Sequence, residues 1–197
     1  HGYGKIYIKG GRMKYDGFFK NGKYEGIGKE YYRHGRLFRF GFFKHGLAHG
    51  KIMEYLPNGF LYYNGEMKNN QYCGNGTLIT NIARYKGKFR HNNFHGKGLF
   101  IYDNRYLYLG QFKENVFHGE GNLFMMEESK KVFGRFMNGY VHGLAKTFYR
   151  DKLVYAGRFR FGKYHGKGSL HGISCRFQNG YKIDSDVIDL RSQFIIK

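Results

Sequence analysis

Five histidines that each precede a glycine are the residues whose type and spacing first suggest chemistry. They lie at least 23 residues apart and are His49, His95, His118, His142 and His165. Imidazole groups bind metals and transfer protons near neutral pH. One metal would need several of them about 2 Å away, whereas repeats of two strands would separate them by about 10 Å. We therefore interpret them as packing residues and predict neither a metal site nor a cofactor.

Lysine and arginine form a second recurring set, placed in register with regularly spaced glycines. Three residues after such a glycine stand Lys20, Lys44, Lys68, Arg90, Lys113 and Arg160, with Met137 as the exception. One residue after it stand Lys88, Arg135 and Arg158. A row of cations attracts acidic proteins or anionic lipids, with strong salt dependence. We predict that these nine residues contact a partner or lipid.

Two stretches resemble a phosphate-binding loop without completing it. Residues 17–24 and 157–164 read G-x-x-x-x-G-K, but Tyr follows where Ser or Thr would hold Mg²⁺. No paired carboxylates, Ser/His/Asp set or Cys/His nucleophile can be phased onto the spacing. The sequence thus predicts no catalytic residue, and we expect a protein that is not an enzyme.

The elements that must position these residues are seven copies of one repeat. Their anchor glycines follow each other at intervals of 22 to 24 residues and are Gly17, Gly41, Gly65, Gly87, Gly110, Gly134 and Gly157. Counted from the anchor, Phe is usual at plus two, Gly or Asn stands at plus five, and Gly always stands at plus nine. A fixed period of this length is the signature of a repeat architecture.

Each copy is predicted to be one β-hairpin. Residues around the anchor alternate with a period of two, which indicates a strand. The small residues near plus five, such as Asn21-Gly22, favour a tight hairpin turn. The alternation places the aromatic residues at minus two and plus two on one face and the cations on the other. Ile52 replaces the usual glycine at plus eleven, so we expect a looser backbone approach there.

The repeat array is predicted to occupy residues 1–180. It begins with a half repeat at 1–14, and a degenerate copy at 172–184 follows the last full repeat. Residues 185–197 differ in character and are predicted to form a C-terminal cap, because a terminal repeat otherwise exposes its apolar face. A short capping helix is favoured over a strand, and one side of it would hold Val187, Leu190, Arg191 and Phe194.

The overall composition indicates which classes of partner to expect. The net charge is +20 with a pI near 9.9, which favours acidic protein surfaces or anionic lipids. Nucleic acid is not expected, because the aromatic residues are committed to the repeat core. Cys73 and Cys175 form no disulfide framework. The chain begins at His1 within the second half of a repeat, which predicts a fragment or processed product.

The pattern Tyr-x-Gly-x-Phe-x-x-Gly/Asn-x-x-His-Gly-x-Gly resembles the MORN repeat (membrane occupation and recognition nexus) over roughly residues 1–180. The chain departs from it by carrying Phe or Met where the family often has Trp, and by Ile52 and Ala145 at the last glycine. The resemblance implies an all-β fold, an elongated, twisted single-layer array of β-hairpins. Seven repeats of two strands would extend about 70 Å.

The resemblance also implies a function. Proteins with such repeats mostly act as scaffolds, so we expect a non-enzymatic adaptor for protein–protein interactions in a cytoskeletal or ciliary assembly of the cytoplasm. Its partners would be proteins with acidic surfaces. One alternative is peripheral binding of anionic membrane lipids through the basic face, at the membrane periphery or in another organelle. The other alternative is a regulatory arm of a larger enzyme.

Overall fold

The computed structural model describes residues 1–183, and this part of the chain is all β. Residues 1–183 contain antiparallel strands and turns but no helix, so the predicted fold of hairpin repeats in an open sheet is confirmed. The predicted cap at 185–197 lies outside the described residues. The chain divides into two compact units, the first ending at Phe100 and the second beginning at Ile101.

In the first unit each strand pairs with the next along the chain. The strands are β1 (Gly2–Tyr7), β2 (Met13–Lys20), β3 (Lys23–Tyr31), β4 (Leu37–Lys44), β5 (Leu47–Tyr55), β6 (Leu61–Lys68), β7 (Gln71–Ile79), β8 (Ala83–Arg90) and β9 (Asn93–Tyr102), whose last residues belong to the second unit. Each predicted repeat of this unit is therefore a hairpin.

The second unit repeats the same order of pairing. Its strands are β10 (Tyr106–Lys113), β11 (Val116–Met125), β12 (Lys130–Met137), β13 (Tyr140–Tyr149), β14 (Lys152–Arg160), β15 (Lys163–Leu170), β16 (Ile173–Gln178) and β17 (Tyr181–Lys182). The last two strands form a short hairpin within the predicted degenerate copy. The boundaries at residues 1–180 for the array and 185–197 for the cap stay a prediction.

The hairpin turns also join neighbouring repeats. Both central turn residues have positive φ, 51° at Asn21 and 71° at Gly22, which is the type I′ turn that matches the twist of paired strands. The amide at plus five then donates to the carbonyl at plus seven of the preceding repeat, as from Gly46 to Tyr24 at 2.9 Å. Each turn thus fixes its hairpin against the one before it.

Paired glycines make room for a buried tyrosine on one face of the sheet. Gly17 pairs with Gly28, and Tyr15 lies across them with no exposed surface. A Cβ added to Gly28 would stand 2.2 Å from the Tyr15 hydroxyl oxygen. That hydroxyl donates to the Phe18 carbonyl at 3.2 Å. Tyr63, Tyr85, Tyr108 and Tyr155 repeat this arrangement and are equally buried.

These tyrosines form an aromatic ladder that is the core of each unit. Tyr15 stacks on Tyr24 at 3.6 Å between ring centroids and meets Phe19 edge-on at 5.1 Å. It also contacts Phe43 of the following repeat edge-on at 5.5 Å. Offset and edge-on ring pairs stabilise beyond the area they bury. The ladder therefore supplies cohesion between repeats.

The glycine at plus nine serves the opposite face. It has positive φ, such as 72° at Gly26, and sits at a register shift between the two strands of the hairpin. The side chain at plus one packs above it: a Cβ added to Gly26 would lie 3.6 Å from the Phe18 Cβ. The plus-one side chain is thereby held outward, on the face away from the tyrosines.

Repeat two does not show the predicted looser approach. Gly41 pairs with Ile52 in the usual register, and a Cβ added to Gly41 would stand 2.2 Å from the Lys51 carbonyl oxygen. Ile52 is instead buried, with 1% of its surface exposed, because no tyrosine lies across this pair. The Ile52 side chain occupies the space that a tyrosine ring fills in other repeats, so the two strands of the hairpin stay close to each other.

Candidate functional site

The predicted basic contacts lie on the outward face, as the alternation predicts. In the first unit Lys20, Lys44, Lys68 and Arg90 are exposed near the hairpin turns, and Lys88 is exposed at plus one. Each plus-three lysine ends its strand opposite the first residue of the return strand, as Lys20 does opposite Lys23. Alternate strands carry them, so their backbones are spaced about 10 Å apart.

The second unit carries a matching set of four cations. Lys113, Arg135, Arg158 and Arg160 are all exposed there. Among residues 1–183, Arg135 is the only one of the nine predicted contacts with an ion pair, to Glu120 at 3.9 Å with both side chains largely exposed. The remaining cations are thus available for an external anionic group. We define these nine residues as the basic face, five in the first unit and four in the second.

The five plus-eight histidines are brought to equivalent places but not to one site. All are half-buried beside the hairpin strands. Nδ1 of His49, His118, His142 and His165 is buried without a hydrogen-bond partner among the described residues. The ring of His142 contacts Phe161 at 5.0 Å between centroids. No group of ligating side chains in residues 1–183 is arranged to hold a metal ion.

The structure also contains a partly buried polar cluster that the sequence reasoning missed. Arg39 occupies the minus-two position of repeat two, where five of the other six full repeats carry tyrosine and repeat six carries Val132. On the neighbouring strands it pairs with Glu30 at 3.5 Å and with Glu54 at 3.0 Å. Its Nη1 donates to Asn70 at 3.0 Å, and the Tyr72 hydroxyl donates to Glu54 at 2.6 Å. The cluster thus places Glu30 and Glu54 on either side of one arginine, an arrangement that the sequence analysis did not predict.

Arg39, Glu54, Asn70 and Tyr72 of the cluster line an open groove of about 450 Å³. Tyr32, Phe38 and Tyr62 complete its wall, with the Arg39 guanidinium 4.3 Å from the Phe38 ring centre. Glu54 is 5% exposed. Burial raises the pKa of Glu30, and the Arg39 cation offsets part of that rise. Because the charged groups pair with each other, we interpret the cluster as structural.

A signal for this cluster was present in the sequence. Repeat two has Arg39 at minus two, and both Glu30 and Glu54 stand at plus thirteen of successive repeats. Plus thirteen faces minus two across the paired strands, as in the Glu30–Arg39 and Arg39–Glu54 pairs. Reading the minus-two position together with its cross-strand neighbours would have predicted the triad.

No helix in the described part of the chain is long and apolar enough to cross a membrane.

An open antiparallel sheet of repeated hairpins, with a ring core on one face and exposed cations on the other, defines an all-β repeat protein. The family model for the MORN repeat matches residues 15–35, 40–59, 63–80, 85–105, 108–123 and 155–174. These segments cover more than half of the sequence, and the chain belongs to the MORN-repeat family. No curated protein matches the sequence.

The family match omits the repeat anchored at Gly134, which the structure nevertheless folds as the hairpin β12–β13. Val132 stands in for the tyrosine there, and Ala145 for the last glycine. MORN repeats are commonly modules that bind proteins or lipids and are generally non-enzymatic.

Proposed function

We propose that this chain is a non-enzymatic scaffold that binds acidic surfaces of other proteins through its basic face. The observation that carries the proposal is the repetition of exposed cations at plus three and plus one, nearly all without an ion-pair partner among the described residues. The fold does not require charge there, since Met137 occupies plus three of one repeat. We place the assembly in the cytoplasm, associated with the cytoskeleton or a cilium.

Charge reversal tests the proposal. The variant Lys44→Glu with Lys68→Glu changes two neighbouring members of the basic face. A matched variant, Lys9→Glu with Arg33→Glu, changes the net charge equally at exposed turns on the opposite edge of the sheet. After native purification from cells, we expect the first variant to lose stoichiometric partners and the second to retain them. Partner binding should also weaken with salt, since exposed charge pairs are screened.

Retention of all partners by the Lys44→Glu, Lys68→Glu variant would contradict the proposal. So would substrate turnover by a chain that purifies alone. Membrane attachment is the second candidate, because a face of unpaired lysines also suits anionic headgroups. Co-sedimentation with vesicles of phosphatidylcholine and phosphatidylserine separates the two: binding by the parent, lost in the Glu variant, would favour lipid over protein.

A further inference from the structure

Four large apolar side chains form a stripe across the outward face of β1 to β4. Tyr3, Phe18, Ile27 and Phe42 are 61%, 50%, 56% and 47% exposed. The rings of Tyr3 and Phe18 meet edge-on at 5.6 Å between centroids. Phe18 packs over Gly26, the neighbour of Ile27, and Ile27 pairs directly with Phe42. We call these four residues the apolar stripe.

Sister repeats show that the fold does not require apolar residues in this row. The plus-one position holds Glu66, Lys88, Gln111, Arg135 and Arg158 in the other repeats with the same glycine at plus nine. Lys88 packs over Gly96 as Phe18 packs over Gly26, since a Cβ added to Gly96 would lie 3.7 Å from the Lys88 Cβ. A charged or polar residue therefore satisfies the backbone equally well. Exposed apolar residues grouped in one place mark an interaction surface.

Charge is arranged unequally along the two sides of the stripe. On the side of the hairpin turns lie Lys20, Lys23 and Lys44, all exposed and without an ion pair among residues 1–183, together with one carboxylate, Glu25, which accepts from the His45 amide. On the other side the charges are mixed, with Lys5 4.0 Å from Asp16. A ligand for this surface needs an apolar centre and acidic groups along one edge only. The Asp16 side chain is 16% exposed and pairs with Lys5, so this side adds little net positive charge and is less suited to a uniformly anionic plane, which disfavours a membrane as the occupant.

We propose that the apolar stripe binds an amphipathic helix of a partner protein that carries acidic residues along one flank. The stripe spans three strand steps, about 14 Å, and apolar residues at i, i+4, i+7 and i+11 of a helix span about 16 Å. Helix flank residues three or four apart lie about 5–6 Å from each other. That spacing matches Lys20 and Lys23, which stand directly opposite on β2 and β3. The inference rests on the scaffold function and names the chemistry of one partner.

Binding of a designed peptide to the full chain tests the inference. The probe is a fluorescently labelled helix of about 18 residues, five turns, with leucines at the four apolar positions and glutamates on one flank. Two matched peptides carry lysines on that flank or the same residues in scrambled order. Anisotropy titrations should show the acidic peptide binding at least about tenfold more tightly than either control, a preference that weakens with salt.

Two variants and one control locate the binding site. The double change Phe18→Gln, Phe42→Gln copies Gln111 of a sister repeat, so the thermal melt should not change. Lys20→Gln with Lys44→Gln removes charge beside the stripe. Each double variant should weaken the acidic peptide about tenfold. Leu144→Asn changes an isolated apolar residue, 68% exposed in the second unit, and should have no effect.

Failure of the acidic peptide to bind the parent chain, or equal binding by the Phe18→Gln, Phe42→Gln variant, overturns the inference. Stripe-dependent binding to phosphatidylcholine–phosphatidylserine vesicles without peptide binding overturns it in favour of a membrane. If the Lys44→Glu, Lys68→Glu chain loses its cellular partners while the peptide fails, the scaffold function stands and this inference is wrong. If the peptide binds the parent chain but the Lys44→Glu, Lys68→Glu chain retains its cellular partners, the apolar stripe binds a helix and the proposed role of the basic face is wrong.

Discussion

The repeats of this chain fill the minus-two position in two contrasting ways. In five repeats a buried tyrosine lies across a glycine pair, as Tyr15 does over Gly17 and Gly28. In repeat two the same position holds Arg39, and the glycine at plus eleven becomes Ile52. The ring is packed by aromatic neighbours, whereas the guanidinium is held between the carboxylates of Glu30 and Glu54.

The comparison shows which features the hairpin needs and which it tolerates. Register at the anchor is the same in both kinds, with Gly17 opposite Gly28 and Gly41 opposite Ile52. Turn geometry and strand pairing therefore determine the backbone, and the minus-two and plus-eleven side chains must together fill one volume. Val132 with Ala145 is a third solution, in repeat six. The partly buried Glu30–Arg39–Glu54 triad adds position-specific pairing that apolar packing lacks, so repeat two is matched to the strands on either side of it.

The largest effect is expected from Arg39→Met. The substitution leaves the buried Glu54 carboxylate without its cation, and removal of one partner from a buried pair destabilises by about 3–5 kcal/mol. Urea denaturation of the full chain measures the loss. Because unpaired buried carboxylates bind protons more tightly, part of the stability should return as the pH falls.

Arg36→Met is the matched control for that change. Arg36 is exposed and donates from Nη1 to the Pro57 carbonyl at 3.0 Å, so its loss should stay within about 0.5 kcal/mol. An Arg39→Met chain as stable as the parent, or equally destabilised at low pH, would show that the triad does not contribute as a charged cluster.

The next largest effect concerns the tyrosine repeats. In Gly168→Ala the new Cβ would stand 2.4 Å from the Tyr155 hydroxyl oxygen, and Tyr155 is fully buried. Overpacking of this kind destabilises by about 1–3 kcal/mol. Adding Tyr155→Val recreates the pairing of Val132 with Ala145, so the double variant should be no less stable than Tyr155→Val alone. Calorimetry of the four chains gives the coupling, and strict additivity would contradict the shared-volume interpretation.

Much of this architecture could be predicted from the sequence because each copy repeats the same physical constraints. The anchor period, the alternation and the turn residues predict hairpins and place the cations outward, as Lys44 and Arg90 show. The Glu30–Arg39–Glu54 triad escaped prediction because its members come from three strands and two repeats. The apolar stripe escaped for the same reason: Tyr3 and Phe42 become neighbours of one surface only after β1 to β4 pair.

Alkaline pH should destabilise the tyrosine repeats selectively. Burial raises the pKa of Tyr15 and of Tyr85 to about 12. The folded-state pKa lies above the unfolded value near 10, so this stabilisation is present below about pH 10 and is lost as the pH rises towards 12. Each such tyrosine contributes of order 1 kcal/mol over that range. Urea denaturation across this range, with tyrosinate absorbance, measures it.

Tyr15→Phe provides the comparison for the alkaline series. The variant loses the hydrogen bond to the Phe18 carbonyl at every pH, but it lacks an ionisable hydroxyl. Its stability should therefore decline less steeply above about pH 10 than that of the parent. A parent and variant with the same alkaline slope would mean that Tyr15 ionisation does not drive the loss.

The finest comparison is between two asparagines at plus five. Asn70 Oδ1 accepts from the Ala48 amide at 2.9 Å and from Arg39, whereas Asn92 Oδ1 accepts from the Tyr72 amide at 2.7 Å. Both have positive φ, 63° and 66°, which glycine adopts without strain. Asn92→Gly should therefore cost about 1 kcal/mol, and Asn70→Gly about 1 kcal/mol more, because a charged donor also loses its acceptor.

The difference in cost between Asn70→Gly and Asn92→Gly tests whether repeat two differs from the tyrosine repeats at its turn contacts as well. In an Arg39→Met background the guanidinium is absent, and Asn70→Gly should then cost no more than Asn92→Gly. Urea denaturation of the single and double variants gives the coupling energy, which should be about 1 kcal/mol for Asn70 with Arg39 and near zero for Asn92 with Arg39. If both asparagines couple equally to Arg39, the triad does not extend to the turn. Repeat two would then differ from the tyrosine repeats only within its strands.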